Sequence, residues 1–268
     1  MSEPVKDKDS LKNILIVALG VCFVCAIIVS TAAVQLKPQR IANKALDRNK
    51  NILIAAGLYE KGVTADAQID TLFEQFTLKV VDLQEHRYLT VDEIAEAKID
   101  PRTYDQRKAS KDPALSMALS DTQDVASISR RARYSVAYLL EQDGDVERIV
   151  LPVHGYGLWS TLYGFIAIEG DGNTVAGITF YEHTETAGLG GEVDNPAWKA
   201  LWMGKKIYAD NQVAFEVVKG NVDPTSAKGQ YQVDALSGAT LTSRGVQNMV
   251  AFWMGSDGFG AILKNMKG

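Results

Sequence analysis

Residues 13–36 contain no Asp, Glu, Lys or Arg. The run reads NILIVALGVCFVCAIIVSTAAVQL, 24 residues between Lys12 and Lys37. About 20 apolar residues are enough for a helix to cross the ~30 Å hydrocarbon core of a bilayer. Lipid offers no partner to backbone N–H and C=O groups, so a single span must be helical. The sequence therefore predicts a transmembrane helix over 13–36, with a short segment 1–12 ahead of it. Lys6, Lys8 and Lys12, with the small residues Ser30-Thr31-Ala32-Ala33, also fit a cleaved signal peptide. The apolar core is longer than the usual ~7–15 residues of such a peptide, which favours an uncleaved anchor. Both cysteines, Cys22 and Cys25, lie inside the run and read as small packing residues. The chain after Lys37 has no cysteine, so it can form neither an internal disulfide nor a thiolate metal site.

The net charge is −5. Charges ahead of the span cancel, so the whole excess belongs to the residues after it. A mildly acidic domain argues against a nucleic-acid partner, which calls for a basic patch. Hydropathy periodicity predicts a helix over 40–59 and a second over 64–76. Residues 96–124 are polar, broken by Pro101 and Pro113, and read as a loop or insertion. From residue 129 the pattern turns to strands. Runs 134–139 and 148–153 flank the hairpin signal Asp143-Gly144-Asp145, and runs 164–168 and 175–180 flank Gly170-Asp171-Gly172-Asn173. A helix at 197–203, a strand at 213–219 and a closing helix from about 243 to 254 complete an α+β domain with an antiparallel sheet. The expected divisions are 1–12, the span 13–36, a helical segment and insertion 37–128, and the α+β domain 129–268.

Three clusters could carry chemistry. Gly155-Tyr156-Gly157-Leu158-Trp159 sets aromatic rings beside glycines between two strands. Tyr156 and Trp159 could stack on a flat ligand, or simply be aromatics of a turn. His183-Thr184-Glu185-Thr186-Ala187-Gly188-Leu189-Gly190-Gly191 follows a strand, and its glycines allow a ligand close to the backbone. The only other histidines are His86 and His154, and no metal-ligand spacing is present, so His183 reads as structural. Glu185 reads as a group that caps or orients the glycine loop rather than one that titrates. The third cluster, Asp234-Ala235-Leu236-Ser237-Gly238-Ala239-Thr240-Leu241-Thr242-Ser243, precedes the last helix. A helix start carries free N–H groups and about half a positive charge, which favours an anion such as phosphate. The alternative is that Thr242 or Ser243 merely caps the helix. The residues alone leave the choice among the four hydroxyls open.

In this order, GYGLW, HTETAGLGG and DALSGAT resemble the FMN-binding domain found in the C subunit of the bacterial sodium-translocating NADH:quinone reductase. The resemblance covers the whole chain, anchor included. It implies FMN joined through its phosphate to Thr240 by a flavin transferase. It also implies flavin contacts from Trp159, Glu185, Thr186, Gly188, Leu189, Gly190, Ser237, Gly238, Ala239 and Thr242. No catalytic residue and no metal site are expected. The implied activity is electron transfer between partner subunits of a membrane complex that pumps Na+, with no turnover by this chain alone. The implied place is the bacterial inner membrane, with the large domain in the periplasm; the lysines and arginines that follow the span would by themselves put it in the cytoplasm. Ala187 stands where related domains often have proline. The alternatives are the G subunit of the Rnf electron-transport complex, which shares the attachment motif, and a free-standing membrane-anchored flavin reductase.

Overall fold

The structure, a computed structural model, describes residues 10–266. Residues 1–9, most of the expected segment 1–12, lie outside the described residues. The chain divides into two compact units, one ending at Asp47 and one beginning at Arg48. The first is formed by most of helix α1 (Leu11–Ala55), whose side chains over the apolar run are exposed, as a lipid-facing helix requires. Among the described helices it is the one long and apolar enough to cross a membrane.

The expected separate helix 40–59 is instead the continuation of α1, which passes through Pro38 and stops at Ala55. Proline removes one backbone donor and crowds the preceding turn, but here it does not end the helix. The last turn of α1 is built into the second unit. Ile52, Leu53, Ala55 and Ala56 are buried against one face of a β-sheet, and Gly57 turns the chain away with φ +72°.

After helix α2 (Ile69–Phe73) come strand β1 (Phe76–Asp82) and β2 (Arg87–Tyr88), then the short helices α3 (Val91–Glu96) and α4 (Gln106–Ala109). Strands β3 (Ser116–Ala118) and β4 (Arg130–Ala132) pair with each other. Next are β5 (Tyr134–Gln142), β6 (Asp145–Tyr156), β7 (Thr161–Glu169) and β8 (Val175–Glu182). Helix α5 (Pro196–Ala200), strands β9 (Tyr208–Ala209), β10 (Gln212–Val213), β11 (Glu216–Val218) and β12 (Gln232–Asp234), and helices α6 (Thr240–Trp253) and α7 (Gly260–Asn265) complete the chain.

The main sheet has the order β2-β1-β5-β6-β7-β8, every pair antiparallel. Both its faces are covered, so alternate residues enter different cores. Val136, Tyr138 and Leu140 face the end of α1 and α2. Ala137, Leu139, Ile149 and Leu151 share the other core with Val246, Met249, Val250 and Trp253 of α6. This explains why the strands read as nearly unbroken apolar runs. Both expected hairpins are present. Asp143 (φ 55°) and Gly144 (φ 93°) form the left-handed two-residue connection that suits the strand twist.

Two further expectations are corrected. The helix over 64–76 is only a 3-10 turn followed by α2, and Phe76 begins β1. That strand pairs with β5 from Phe76↔Leu140 to Asp82↔Tyr134, so the sheet draws on a segment well before residue 129. The strand expected over 213–219 is split into β10 and β11, which join different partners. Residues 96–124 are largely irregular, and α4 pins them down. Arg107 makes two bonds of 2.6 and 2.8 Å to Glu182 at the end of β8 and lies 3.6 Å from the centre of the Tyr163 ring.

Candidate functional site

The three clusters meet where the turn after β6, the loop after β8 and the start of α6 come together. One carboxylate joins them. Glu185 accepts hydrogen bonds from the backbone N–H of Leu158 (3.1 Å), Trp159 (2.9 Å) and Ser160 (3.2 Å). It also accepts from the hydroxyl of Thr242 at 2.7 Å. Only 8% of Glu185 is exposed, and Thr242 is fully buried. Burial alone would raise the Glu185 pKa. The bonds from Thr242, Trp159, Ser160 and Leu158 outweigh it and hold the carboxyl below its ordinary value.

The glycines fit around this carboxylate. A Cβ on Gly157 would lie 2.7 Å from Glu185 Oε1, and one on Gly190 would lie 2.5 Å from the Thr242 hydroxyl and 2.6 Å from Glu185 Oε2. Neither position has space for a side chain. Behind the loop, the Glu185 N–H donates to His183 Nδ1 at 3.2 Å, so Nε2 carries the proton and donates to Asp194 at 2.9 Å. His183 is thus a structural histidine.

The start of α6 lies at Thr240, three residues before the expected start. The residue at the cap is Ala239, which has no side-chain acceptor. Neither Thr242 nor Ser243 is the cap, which corrects that alternative. Ser243 is buried, accepts from Leu236 N–H at 2.9 Å and donates to Ala239 O at 3.0 Å. Thr242 is committed to Glu185. The remaining hydroxyls, Ser237 and Thr240, are exposed and have no hydrogen-bond partner among the described residues. The N–H groups of Thr240, Leu241 and Thr242 are likewise without an acceptor among the described residues. A free hydroxyl therefore stands beside three free donors at the positive end of a 14-residue helix. Nearby, Leu158, Trp159, Leu189 and Leu241 are exposed, Trp159 to 65%.

Residues 157–255 match the FMN-binding domain family model, a span that includes Glu185, Thr240 and all of α6. The C subunit of the Na(+)-translocating NADH-quinone reductase of Pseudomonas aeruginosa is 52% identical over 97% of this chain and 98% of its own length. The chain belongs to the NqrC family, the C subunits of Na(+)-translocating NADH-quinone reductases. The NqrC of Yersinia pestis is 41% identical over 99% of this chain and 97% of that protein. The crystal structure of Shewanella oneidensis NqrC superposes with a TM-score of 0.73 at 32% identity, covering 84% of this chain and 99% of that one. These relatives support the sodium-pump reading over the Rnf reading and the free-standing reductase.

In a member of this family, the residues expected at the flavin fall into two groups. Trp159, Thr186, Gly188, Leu189, Ser237 and Gly238 are exposed, as Thr240 is, whereas Glu185, Gly190, Ala239 and Thr242 are buried. Gly238, at φ +71°, brings the two loops together, since a Cβ there would lie 3.1 Å from Leu189 Cδ2. Asp234, the first residue of the DALSGAT segment, is used within the fold. Its carboxylate accepts from Val222 N–H at 2.6 Å and its carbonyl from Trp198 Nε1 at 2.8 Å. The sequence did not indicate the bond from Thr242 to Glu185, and the pair of glycines around it is the one trace of that bond in the chain. A separate cavity of about 440 Å³, lined in part by His86, Tyr208, Met254 and Lys264, lies by the other end of α6 and contains none of these residues.

Proposed function

We propose that this chain carries FMN as a phosphoester on Thr240 and passes electrons between partner subunits of a membrane Na+-translocating NADH:quinone reductase. The observation that carries the attachment is the division of the hydroxyls: Thr242 and Ser243 are buried and bonded, Ser237 and Thr240 are exposed, and of those two Thr240 is the one on the helix itself, beside its unpaired N–H groups. The residues present fit a phosphate, because the helix start offers donors that nothing in the described chain satisfies. Bound there, the flavin supplies the redox chemistry. The protein supplies position: the ester fixes the phosphate, the free N–H groups offset its charge, and Trp159 and Leu189 offer apolar surface beside it.

A flavin transferase makes the ester during maturation, and the domain faces the periplasm. Segments 156–160, 186–191 and 235–243 contain no side chain charged at neutral pH. A neutral, partly apolar face of this kind fits contact with partner subunits rather than steering by charge. The test is the mass of the tryptic peptide containing Thr240, from protein made with a flavin transferase and denatured in acid. An added FMN mass on that peptide is expected, with its loss in Thr240→Val. Flavin retained in the variant would move the attachment to another hydroxyl. A reporter fused after Gly268 that is active only in the periplasm tests the orientation.

A further inference from the structure

We propose that Glu185 is the positioning residue that locks the Trp159 turn to the first turn of α6, so that the flavin seat is formed before FMN arrives. The inference rests on the reading of Thr240 as the attachment point. A carboxylate has about four acceptor sites on its two oxygens. In Glu185 they are taken by Leu158, Trp159, Ser160 and Thr242. With that set filled and the side chain buried, Glu185 has no acceptor left for a ligand. Its effect reaches the flavin through what it holds. On one side is the turn that carries the exposed indole of Trp159, itself closed by Gly157 N–H to Ser160 O at 2.8 Å. On the other is Thr242, two residues after Thr240 in the same helical turn.

A carboxylate suits this position. Three N–H groups converge on Oε1, and the Thr242 hydroxyl donates to Oε2. A glutamine of the same shape would keep its oxygen on the three N–H groups only by facing its amide to Thr242 and the Leu158 N–H, which reverses the Thr242 bond and removes the charge from all of them. The seat is also braced from behind. Thr184 N–H donates to Ser160 Oγ at 2.8 Å, and the Glu185 backbone is held by His183, which is held in turn by Asp194. The loop, the turn and the helix are thus fastened through one side chain, and Thr242 has its effect through Glu185.

The test uses the full-length chain in detergent, with and without co-expressed flavin transferase, well below its unfolding temperature. In the flavin-free protein the reporter is acrylamide quenching of Trp159, the exposed tryptophan; Trp198, Trp202 and Trp253 are buried, and a Trp159→Phe control isolates the signal. Glu185→Gln is expected to change Trp159 quenching and to slow FMN attachment at Thr240 by about tenfold or more, the factor equivalent to one charged hydrogen bond. Thr242→Val is expected to shift both readouts the same way by less, and Thr242→Ser to restore them. The double variant is expected to be no worse than Glu185→Gln alone, because residues joined in one network do not add. Wild-type quenching and attachment in Glu185→Gln would overturn the proposal. So would full additivity in the double variant, or equal behaviour of Thr242→Val and Thr242→Ser. If Glu185→Gln does not fold, the two Thr242 variants decide. If the wild type takes up no flavin, the reading of Thr240 fails, while the quenching comparison still decides the role of Glu185.

Discussion

Gly190→Ala is the sharpest test of the packing at the site. The new Cβ would sit 2.5 Å from the Thr242 hydroxyl and 2.6 Å from Glu185 Oε2, the two atoms that share a 2.7 Å hydrogen bond. Real Cβ contacts do not come below 3.0 Å, so each oxygen must move by about half an ångström. Both residues are buried, and Glu185 is held on its other side by three backbone donors. Overpacking of a filled core costs about 1–3 kcal/mol. Loss of a hydrogen bond to a charged group adds about 1.5–3 kcal/mol. Replacing glycine restricts the unfolded chain and returns about 0.4–1 kcal/mol. The net expectation is a loss of about 3 kcal/mol.

Gly188→Ala is the matched control. Nothing lies within 4 Å of a Cβ at Gly188, but φ is +76°. Its cost is the left-handed backbone alone, about 1–2 kcal/mol, less the same entropic return. Urea unfolding of the full chain in detergent, followed by tryptophan fluorescence, measures both. Gly190→Ala should lower the midpoint clearly more than Gly188→Ala. Equal or smaller destabilisation by Gly190→Ala would refute the placement of the Glu185–Thr242 pair against the glycine loop.

Thr240→Val should leave stability within about 0.5 kcal/mol of wild type, because the residue is exposed and unpartnered, so that any loss of flavin in the same protein is a loss of attachment and not of fold. Arg107→Ala removes a partly exposed ion pair to Glu182 and the stacking on Tyr163, and should cost about 1–2 kcal/mol in the same unfolding assay while exposing residues 96–124 to protease. His154 is buried beside Tyr163 and Trp253, and burial, with a smaller contribution from Arg107, pushes its pKa down to about 4. Its folded value lies below the ordinary 6.5, so this contribution is complete above pH 6.5 and is lost as pH falls toward 4, by about 3 kcal/mol; His154→Phe should flatten that part of the stability–pH curve. Arg244 is exposed and one turn after Thr240 on the same helix face; Arg244→Gln should slow FMN attachment by a few-fold at low salt, with the difference shrinking as salt screens the charge.

The parts legible in the sequence are those set by neighbours along the chain. The anchor needs only an unbroken apolar run. The β5–β6 hairpin needs only Asp143-Gly144 between strand-like segments, and Pro196 after Asn195 marks the start of α5, with the Asn195 side chain accepting from Ala197 N–H at 2.9 Å. Strand β1 was not legible, because FTLKVVD has no turn signal before it and its first residue, Phe76, finds its partner Leu140 across 64 positions. The same distance effect hid the centre of the site. Glu185 and Thr242 are 57 residues apart, and nothing local distinguishes the Thr242 hydroxyl from that of Thr240. The wording of the DALSGAT segment selected Thr240 by resemblance. The fold separates the hydroxyls by physics, burying two and leaving Thr240 and Ser237 at the surface.

The site bonds a buried carboxylate to Thr242, two residues along the helix from a position suited to phosphate, and two negative groups held through one helical turn would ordinarily conflict. The hydrogen bonds resolve the conflict by giving each its own donors. Glu185 draws on the Leu158–Ser160 backbone and the Thr242 hydroxyl, and takes none of the helix N–H groups. Those remain free because Ala239 stands at the cap. A serine or aspartate there would accept from the second or third N–H of the helix and take one of the three free donors. Ser243, the hydroxyl that could compete, is turned back to Ala239 O and Leu236 N–H. The helix start thus forgoes the ordinary cap, worth about 1 kcal/mol, and keeps its positive end open to an anion. A purely structural helix gains nothing from that omission, whereas an anion at the first residue gains one more free donor.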